Sequence, residues 1–317
     1  MNDNFHTKPH TRRFFSILGL LCTLLVLVVL VAEVGTALLM SFETAPNVFN
    51  TPVGIFILTP GVRVVFRLSG VGSLAYYLFL LSCVVISFSI ILGKMLDGFE
   101  ITDGKPRWTT LARSPLTDVA GLAAVVLFLN YLIVAVMMAL GNAPSAPESL
   151  SELAGWKLGF VLIEASVWEE ILCRVCFMGL PLLVIAVASG ERENLGRFVV
   201  GGFEYNNYVL LFLVISSAIF GYAHYGGWGL WKILPTFIFG LAAGWLFHRH
   251  GLYAAIMLHF FIDFMSLESV LGLDSSVVPL TTLPLIFVGL IFTSRIALIA
   301  LQRAFGERSE ERLEPGL

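Results

Sequence analysis

The sequence predicts an all-α protein, a polytopic membrane bundle of about eight transmembrane helices, and three observations carry that prediction. Hydrophobic residues make up 57% of the 317 and charged residues 13%, with a mean hydropathy of +0.88, whereas soluble domains carry roughly 25% charged residues. Eight apolar stretches reach or approach the roughly 20 residues that a helix needs to cross a hydrocarbon layer of about 30 Å. Lys and Arg fall mostly in one set of the loops between these stretches, as retention of positive charge on the cytoplasmic side requires.

Residues 1–13 read as a cytoplasmic leader carrying Lys8, Arg12 and Arg13. The apolar run 14–40 is longer than a signal-peptide core and lacks a small-x-small cleavage site, so it reads as a retained first span. Residues 53–66 are apolar but too short to span and are interrupted by Pro60 and Gly61. They read as an apolar loop rather than a segment dipping into the protein. Further spans are expected at 71–96, 116–140, 156–188, 207–224, 229–247, 251–268 and 279–302, separated by breaks rich in Asn, Pro, Gly and charge. The chain thus divides into the leader, N-terminal transmembrane helices over 14–155, a core with polar motifs over 156–268, and a last helix with a cytoplasmic tail over 269–317.

Eight spans with both termini inside put fourteen Lys and Arg on the cytoplasmic side against four outside, namely Arg63, Arg67, Lys157 and Lys232, with Arg174 inside the fourth span. The expectation is a multi-pass protein of the cell membrane with both termini cytoplasmic. A net charge of −3 gives no basic excess for nucleic acid and no acidic tract for cation buffering, so partners are to be sought in the lipid bilayer or at its surface. Cys22, Cys83, Cys173 and Cys176 lie in apolar stretches without the spacing of a disulfide framework or a zinc knuckle. No internal repeat is visible, which argues against a transporter built from duplicated halves.

Ionisable side chains at membrane depth cost about 2.5–3.5 kcal/mol each on insertion scales, so they mark functional candidates. Here they fall in three spans. The fourth holds Glu164 and then Trp168-Glu169-Glu170-Ile171-Leu172-Cys173-Arg174. Glu170 and Arg174 are four residues apart and share a helix face, so the arginine can neutralise that carboxylate, while Glu169 points about 100° away and is freer to exchange protons. The competing reading is a buried ion pair beside a hydrogen-bonded acid. The fifth span ends in Phe220-Gly221-Tyr222-Ala223-His224, with Phe220 and His224 on one face; alone, that histidine reads as an interfacial anchor. The seventh holds His259 and Asp263 one turn apart, a pair able to orient a water, hold an oxyanion, give two metal ligands, or simply hydrogen-bond. His6, His10, His248 and His250 sit in the leader or a predicted cytoplasmic turn, where topology explains them.

Coincidence changes the weighing, because these groups lie in spans that can pack side by side around one polar cavity. No span carries His-Glu-x-x-His, and no Gly-x-Ser-x-Gly or Ser/His pair replaces it, so zincin-like and serine-type chemistry lose support. In the order and spacing of these motifs the chain resembles the CAAX prenyl endopeptidase and bacteriocin-processing family (CPBP, or Abi). The Glu-Glu-x-x-x-Arg motif reads as Glu169, Glu170 and Arg174, Phe-x-x-x-His as Phe220 and His224, a Phe-x-x-Gly element as Phe237 to Gly240, and the final motif as His259 and Asp263. The resemblance covers roughly residues 156–268.

The resemblance implies a peptidase without a covalent intermediate, acting on a membrane-associated protein or peptide. Glu169 would be the general base and His224 its partner. His259 and Asp263 would hold the oxyanion, Glu170 would complete the catalytic set, and Arg174 and Phe220 would shape the site. It implies no cofactor. This chain has Asp263 where prenyl-protein endopeptidases of the family resemble Asn, and an ionised carboxylate would repel an oxyanion. Prenylated-protein cleavage is therefore not carried over. Two alternatives stand beside this reading: a metal-dependent membrane hydrolase in which Glu169, His224, His259 and Asp263 ligate zinc, and a non-catalytic bacteriocin-immunity or scaffold protein.

Overall fold

The computed structural model describes residues 9–59, 61–97, 101–102, 105–106, 114–142, 144, 147, 152–270 and 277–310. Over these residues the chain is an all-α membrane bundle. Its long helices are α1 (Pro9–Asn50), α2 (Val71–Asp97), α3 (Pro115–Ala139), α4 (Gly155–Ala188), α6 (Asn207–Ala223), α8 (Ile233–Arg249), α9 (Leu252–Val270) and α10 (Val277–Glu310). Two short helices, α5 (Arg197–Val200) and α7 (Tyr225–Trp228), sit in the connections. Of the described residues, seven helical segments are long and apolar enough to cross a membrane. The expected seventh span is α9, Leu252–Val270, whose fully described part, Leu252–Met265, is apolar.

The position of α9 accounts for its polarity. It packs against α2, α3, α4 and α8, and Ala254, Ala255, Met257, Leu258, Phe260 and Phe261 are fully enclosed. A helix surrounded by other helices presents little surface to lipid, so it tolerates His259 and Asp263 within its apolar length.

Local chemistry sets several boundaries. Ser114 caps α3, its Oγ accepting from the backbone of Thr117, with Pro115 in the first turn where no amide donor is needed. Asn206 caps α6 in the same way, accepting from Val209 at 3.0 Å. Gly251, at φ +120, turns the chain from α8 into α9. Beside that turn Asp118 of α3 takes His250 at 2.7 Å and Arg249 at 3.1 Å, fixing the hairpin of helices. In contrast to soluble cores, helices in a bilayer associate through close packing of small residues. Gly240 of α8 shows it: a Cβ there would lie 3.0 Å from the Cα of Ser217 on α6.

Residues 53–66 are not a loop. Val53–Thr59 (β1) and Gly61–Leu68 (β2) form an antiparallel hairpin, with a register shift between Ile55 and Phe56 that leaves Val65 extra on β2. The segment is dense in β-branched and aromatic residues, which favour a pleated, half-buried surface. Phe56 and Leu58 face the bundle, while residues 62–67 are exposed. The predicted loop 97–115 lies largely outside the described residues, as does the tail after residue 310.

Candidate functional site

The fourth span is not a uniform α-helix. After Gly155–Glu164 its hydrogen bonding widens to a π-helical pattern over Ala165–Glu169 and again over Ile171–Gly179 before Leu180–Ala188 closes α4 as ordinary α-helix. Wider turns of this kind concentrate at functional sites. Glu169, Glu170 and Arg174 are all buried, Glu170 and Arg174 completely.

Each polar group on this helix has a distinct partner. Arg174 Nε donates to Glu170 Oε2 at 2.9 Å, and its Nη1 donates to Ser216 Oγ of α6 at 3.2 Å. Glu170 Oε1 meets His259 Nδ1 of α9 at 2.9 Å. A carboxylate accepts, so that nitrogen is the donor. The remaining His259 nitrogen, Nε2, lies 3.5 Å from Asp263 Oδ2. Glu170 is therefore the centre of a network joining α4 to α9, while Arg174 joins it to α6.

Glu169 is held differently. Its Oε2 is buried and makes no hydrogen bond among the described residues, and His224 Nε2 lies 3.9 Å from it. His224 stands at the end of α6, where Nδ1 lies 2.9 Å from the carbonyl oxygen of Phe220. A carbonyl only accepts, so Nδ1 carries the hydrogen and Nε2 is the nitrogen turned toward Glu169. Phe220 is the apolar hub of the site. Its ring packs edge-on to His224 (centroids 4.7 Å apart) and His259 (5.9 Å), and the Arg174 guanidinium lies 5.8 Å from it.

A cavity of about 80 Å³ opens beside these groups, walled by Phe220, His224, Lys232, Phe239, His259 and Asp263, with Asn130 of α3 also in its lining. The structure thus brings together Glu169, Glu170, Arg174, Phe220, His224, His259 and Asp263 from α4, α6 and α9. A larger cavity, about 320 Å³, lies near the other end of α4, beside the Glu191–Arg197 ion pair and away from these side chains. Of the predicted Phe237 to Gly240 element, Gly240 provides the close approach of α6 and α8 described above, and the Phe237 backbone nitrogen lies 3.2 Å from where a Cβ on Gly221 would stand. His248 and His250 are engaged elsewhere, with the Phe203 carbonyl and with Asp118.

Three residues were not singled out from sequence. Lys232 counted only as a loop charge. Asn130, in mid-span and with a buried Oδ1 lacking a hydrogen bond, was readable by the same membrane-cost argument applied to the charged groups. Trp168 donates its indole N–H to the Phe56 carbonyl at 2.7 Å, tying the hairpin to the helix beside Glu169; no sequence signal pairs positions 112 residues apart. Among the described residues, no three His, Cys, Asp or Glu side chains are arranged as a ligand set for a metal ion.

Comparison with known proteins gives a family match for the part of the chain that holds these groups. Residues 151–265, a little over a third of the chain, match the family described as type II CAAX prenyl endopeptidase Rce1-like. The likeness bears out the resemblance read from the motifs and is to CAAX-type intramembrane proteases at the family level. No curated protein and no solved structure matches the chain.

Proposed function

We propose that this multi-pass membrane protein, Rce1-like over residues 151–265, is an intramembrane peptidase that hydrolyses a peptide bond of a membrane-associated protein or peptide with a water activated by Glu169. The observation carrying this reading is the 3.9 Å between Glu169 Oε2 and His224 Nε2. Two hydrogen bonds of about 2.8 Å drawn from these atoms to one water meet at roughly 90°, close to the H–O–H angle. A single water bridging base and partner would have both its hydrogens directed.

In the step that follows, the water gives a proton to Glu169 as its oxygen bonds the scissile carbonyl carbon, and the carbonyl electron pair moves onto oxygen. His259, on the cavity wall with Asp263, faces that oxyanion. Collapse breaks the C–N bond, and the amine leaves with the proton that Glu169 took up. Glu170 and Arg174 hold His259 and Phe220 in place and stay out of the proton transfer. The cavity lies at the end of the bundle that carries the hairpin and the 224–232 turn; in the orientation favoured by the Lys and Arg distribution this is the non-cytoplasmic side.

The test is Glu169→Gln, which keeps size and polarity but cannot take the proton. Wild type and variant are reconstituted in vesicles with a library of membrane-anchored peptides, and cleavage is scored by mass spectrometry with and without a zinc chelator. The variant should cut at least about 10²-fold more slowly than the wild type. Cleavage by the variant at the wild-type rate makes the base assignment wrong. If chelation stops the wild type, the metal-dependent hydrolase replaces this reading, and a wild type that cuts nothing favours the non-catalytic one.

A further inference from the structure

The hairpin has one strand that the bundle leaves bare. β1 turns Val53, Phe56 and Leu58 into the protein, and Trp168 holds its Phe56 carbonyl at 2.7 Å. β2 buries none of residues 62–67. Successive side chains of a strand point to opposite faces, so exposure at consecutive positions leaves both faces of β2 open. Val62, Val64, Val65 and Phe66 are each 52–57% exposed, and between and beside them stand Arg63 and Arg67. Among the described residues β2 pairs with β1 alone, so its second edge presents amides and carbonyls that no strand takes up.

The chain fixes where this strand lies. Thr51 and Pro52 alone join α1 to β1, and Ser69 and Gly70 alone join β2 to α2. Three Cα steps of about 3.8 Å keep each outer strand end within about 11 Å of a span. Both strands pack on α6, and β2 also touches α7, which follows it. The 17 residues of α6 rise only about 25 Å, less than the roughly 30 Å of hydrocarbon, so an element seated at that end lies at the bilayer boundary and not out in water. Hydrocarbon would leave the open edge of β2 unsatisfied, and water would leave an apolar strand with a free edge prone to pairing with other chains. The headgroup level resolves both. We propose that β2 is a membrane-interface surface whose partner is anionic phospholipid: Val62, Val64, Val65 and Phe66 enter the boundary of the acyl chains, and Arg63 and Arg67 reach the phosphates. This surface does not depend on the peptidase reading.

The experiment puts a dye on the strand in the full chain. Val64→Cys carries the environment-sensitive fluorophore NBD, Glu193→Cys, in the exposed connection after α4, is the aqueous reference, and unsubstituted protein labelled in parallel corrects for the native cysteines. The protein is reconstituted in vesicles of three parts phosphatidylcholine to one part phosphatidylglycerol, with bromine near the headgroup end of the acyl chains of one lipid or the other. Brominated lipid should quench the dye at 64 at least about twofold more than the dye at 193. Per molecule, brominated phosphatidylglycerol should quench it on the order of fivefold more than brominated phosphatidylcholine, the preference of one basic residue at an anionic surface. Arg63→Gln with Arg67→Gln should bring that ratio to within about twofold of equality while quenching by phosphatidylcholine stays, and Arg63→Lys with Arg67→Lys should keep the preference. Equal quenching at 64 and 193 overturns the proposal. So does a dye at 64 that neither brominated lipid nor aqueous iodide reaches, which would place a second copy of the chain on the strand. Equal quenching by the two lipids, or a preference that the double glutamine variant leaves unchanged, overturns it as well. The comparisons that keep both arginines decide whether or not the double variants fold.

Discussion

Replacing Glu170 by Gln should unfold the protein more readily, whereas the same change one residue earlier should not. Glu170 is fully buried and its two oxygens are separately engaged, Oε2 by Arg174 and Oε1 by His259, each at 2.9 Å. An amide offers one accepting oxygen. If that oxygen keeps Arg174, the NH₂ group meets the Nδ1 that had been donating, and the guanidinium stays buried without a carboxylate. Removing one partner of a buried pair costs about 3–5 kcal/mol. For a chain above 150 residues each kcal/mol moves Tm by roughly 2–4 °C, so Glu170→Gln should melt at least about 6 °C lower. Glu169 Oε2 has no hydrogen bond to lose, and Glu169→Gln should stay within about 2 °C of wild type. The assay is thermal unfolding of detergent-solubilised protein followed by tryptophan fluorescence. A Glu170→Gln protein that melts with the wild type would refute the assignment of Glu170 to the structural network, and equal losses from both substitutions would refute the division of labour.

Other changes test other parts of the fold. A Cβ at Gly179 would stand 1.8 Å from the Phe198 carbonyl oxygen, so Gly179→Ala should push α5 off α4 and cost several kcal/mol, roughly the penalty of core overpacking or more; unchanged Tm would contradict the contact. Trp168→Phe removes the hydrogen bond to Phe56, worth about 1 kcal/mol, and should make trypsin cut the exposed Arg63 and Arg67 about fivefold faster if the hairpin is anchored there. A reporter fused after Leu317 should be active only in its cytoplasmic form, as the fourteen-to-four distribution of Lys and Arg requires; activity outside the cytoplasm would reverse the orientation and the side to which the cavity opens.

Much of the fold was legible because a bilayer makes hydropathy decisive. Long apolar runs have no other use, and the breaks between them are chemically marked by residues such as Ser114 and Asn206 that go on to cap helices. The hairpin was missed because its apolar residues satisfy a loop at an interface as well as a strand, and only pairing at a distance separates the two. α9 was expected as a span, but its enclosure by four neighbours was not legible, because packing leaves no mark on periodicity. The grouping of Glu169, Glu170, His224, His259 and Asp263 was legible because each is expensive where it stands and they recur in three successive polar motifs. Lys232 was not, since at a helix end the same ammonium serves equally as a topological charge.

The geometry of α4 explains how two adjacent acids come to differ. In a regular α-helix successive side chains diverge by about 100°, which would turn one carboxylate inward and leave the other toward a neighbouring helix or lipid. Here the turns on both sides of Glu170 are widened to the π pattern, so successive side chains diverge less and both carboxylates project inward. Glu170 then reaches α9 and its own Arg174, and Glu169 reaches the end of α6. Two carboxylates at one depth in an apolar bundle would repel each other if both were bare. The guanidinium one turn along removes that conflict by answering Glu170 alone, which leaves Glu169 with an oxygen that no group among the described residues satisfies. A buried oxygen without a partner is costly in a residue kept only for packing, and it is what Glu169 needs for the proposed role of accepting a proton from water.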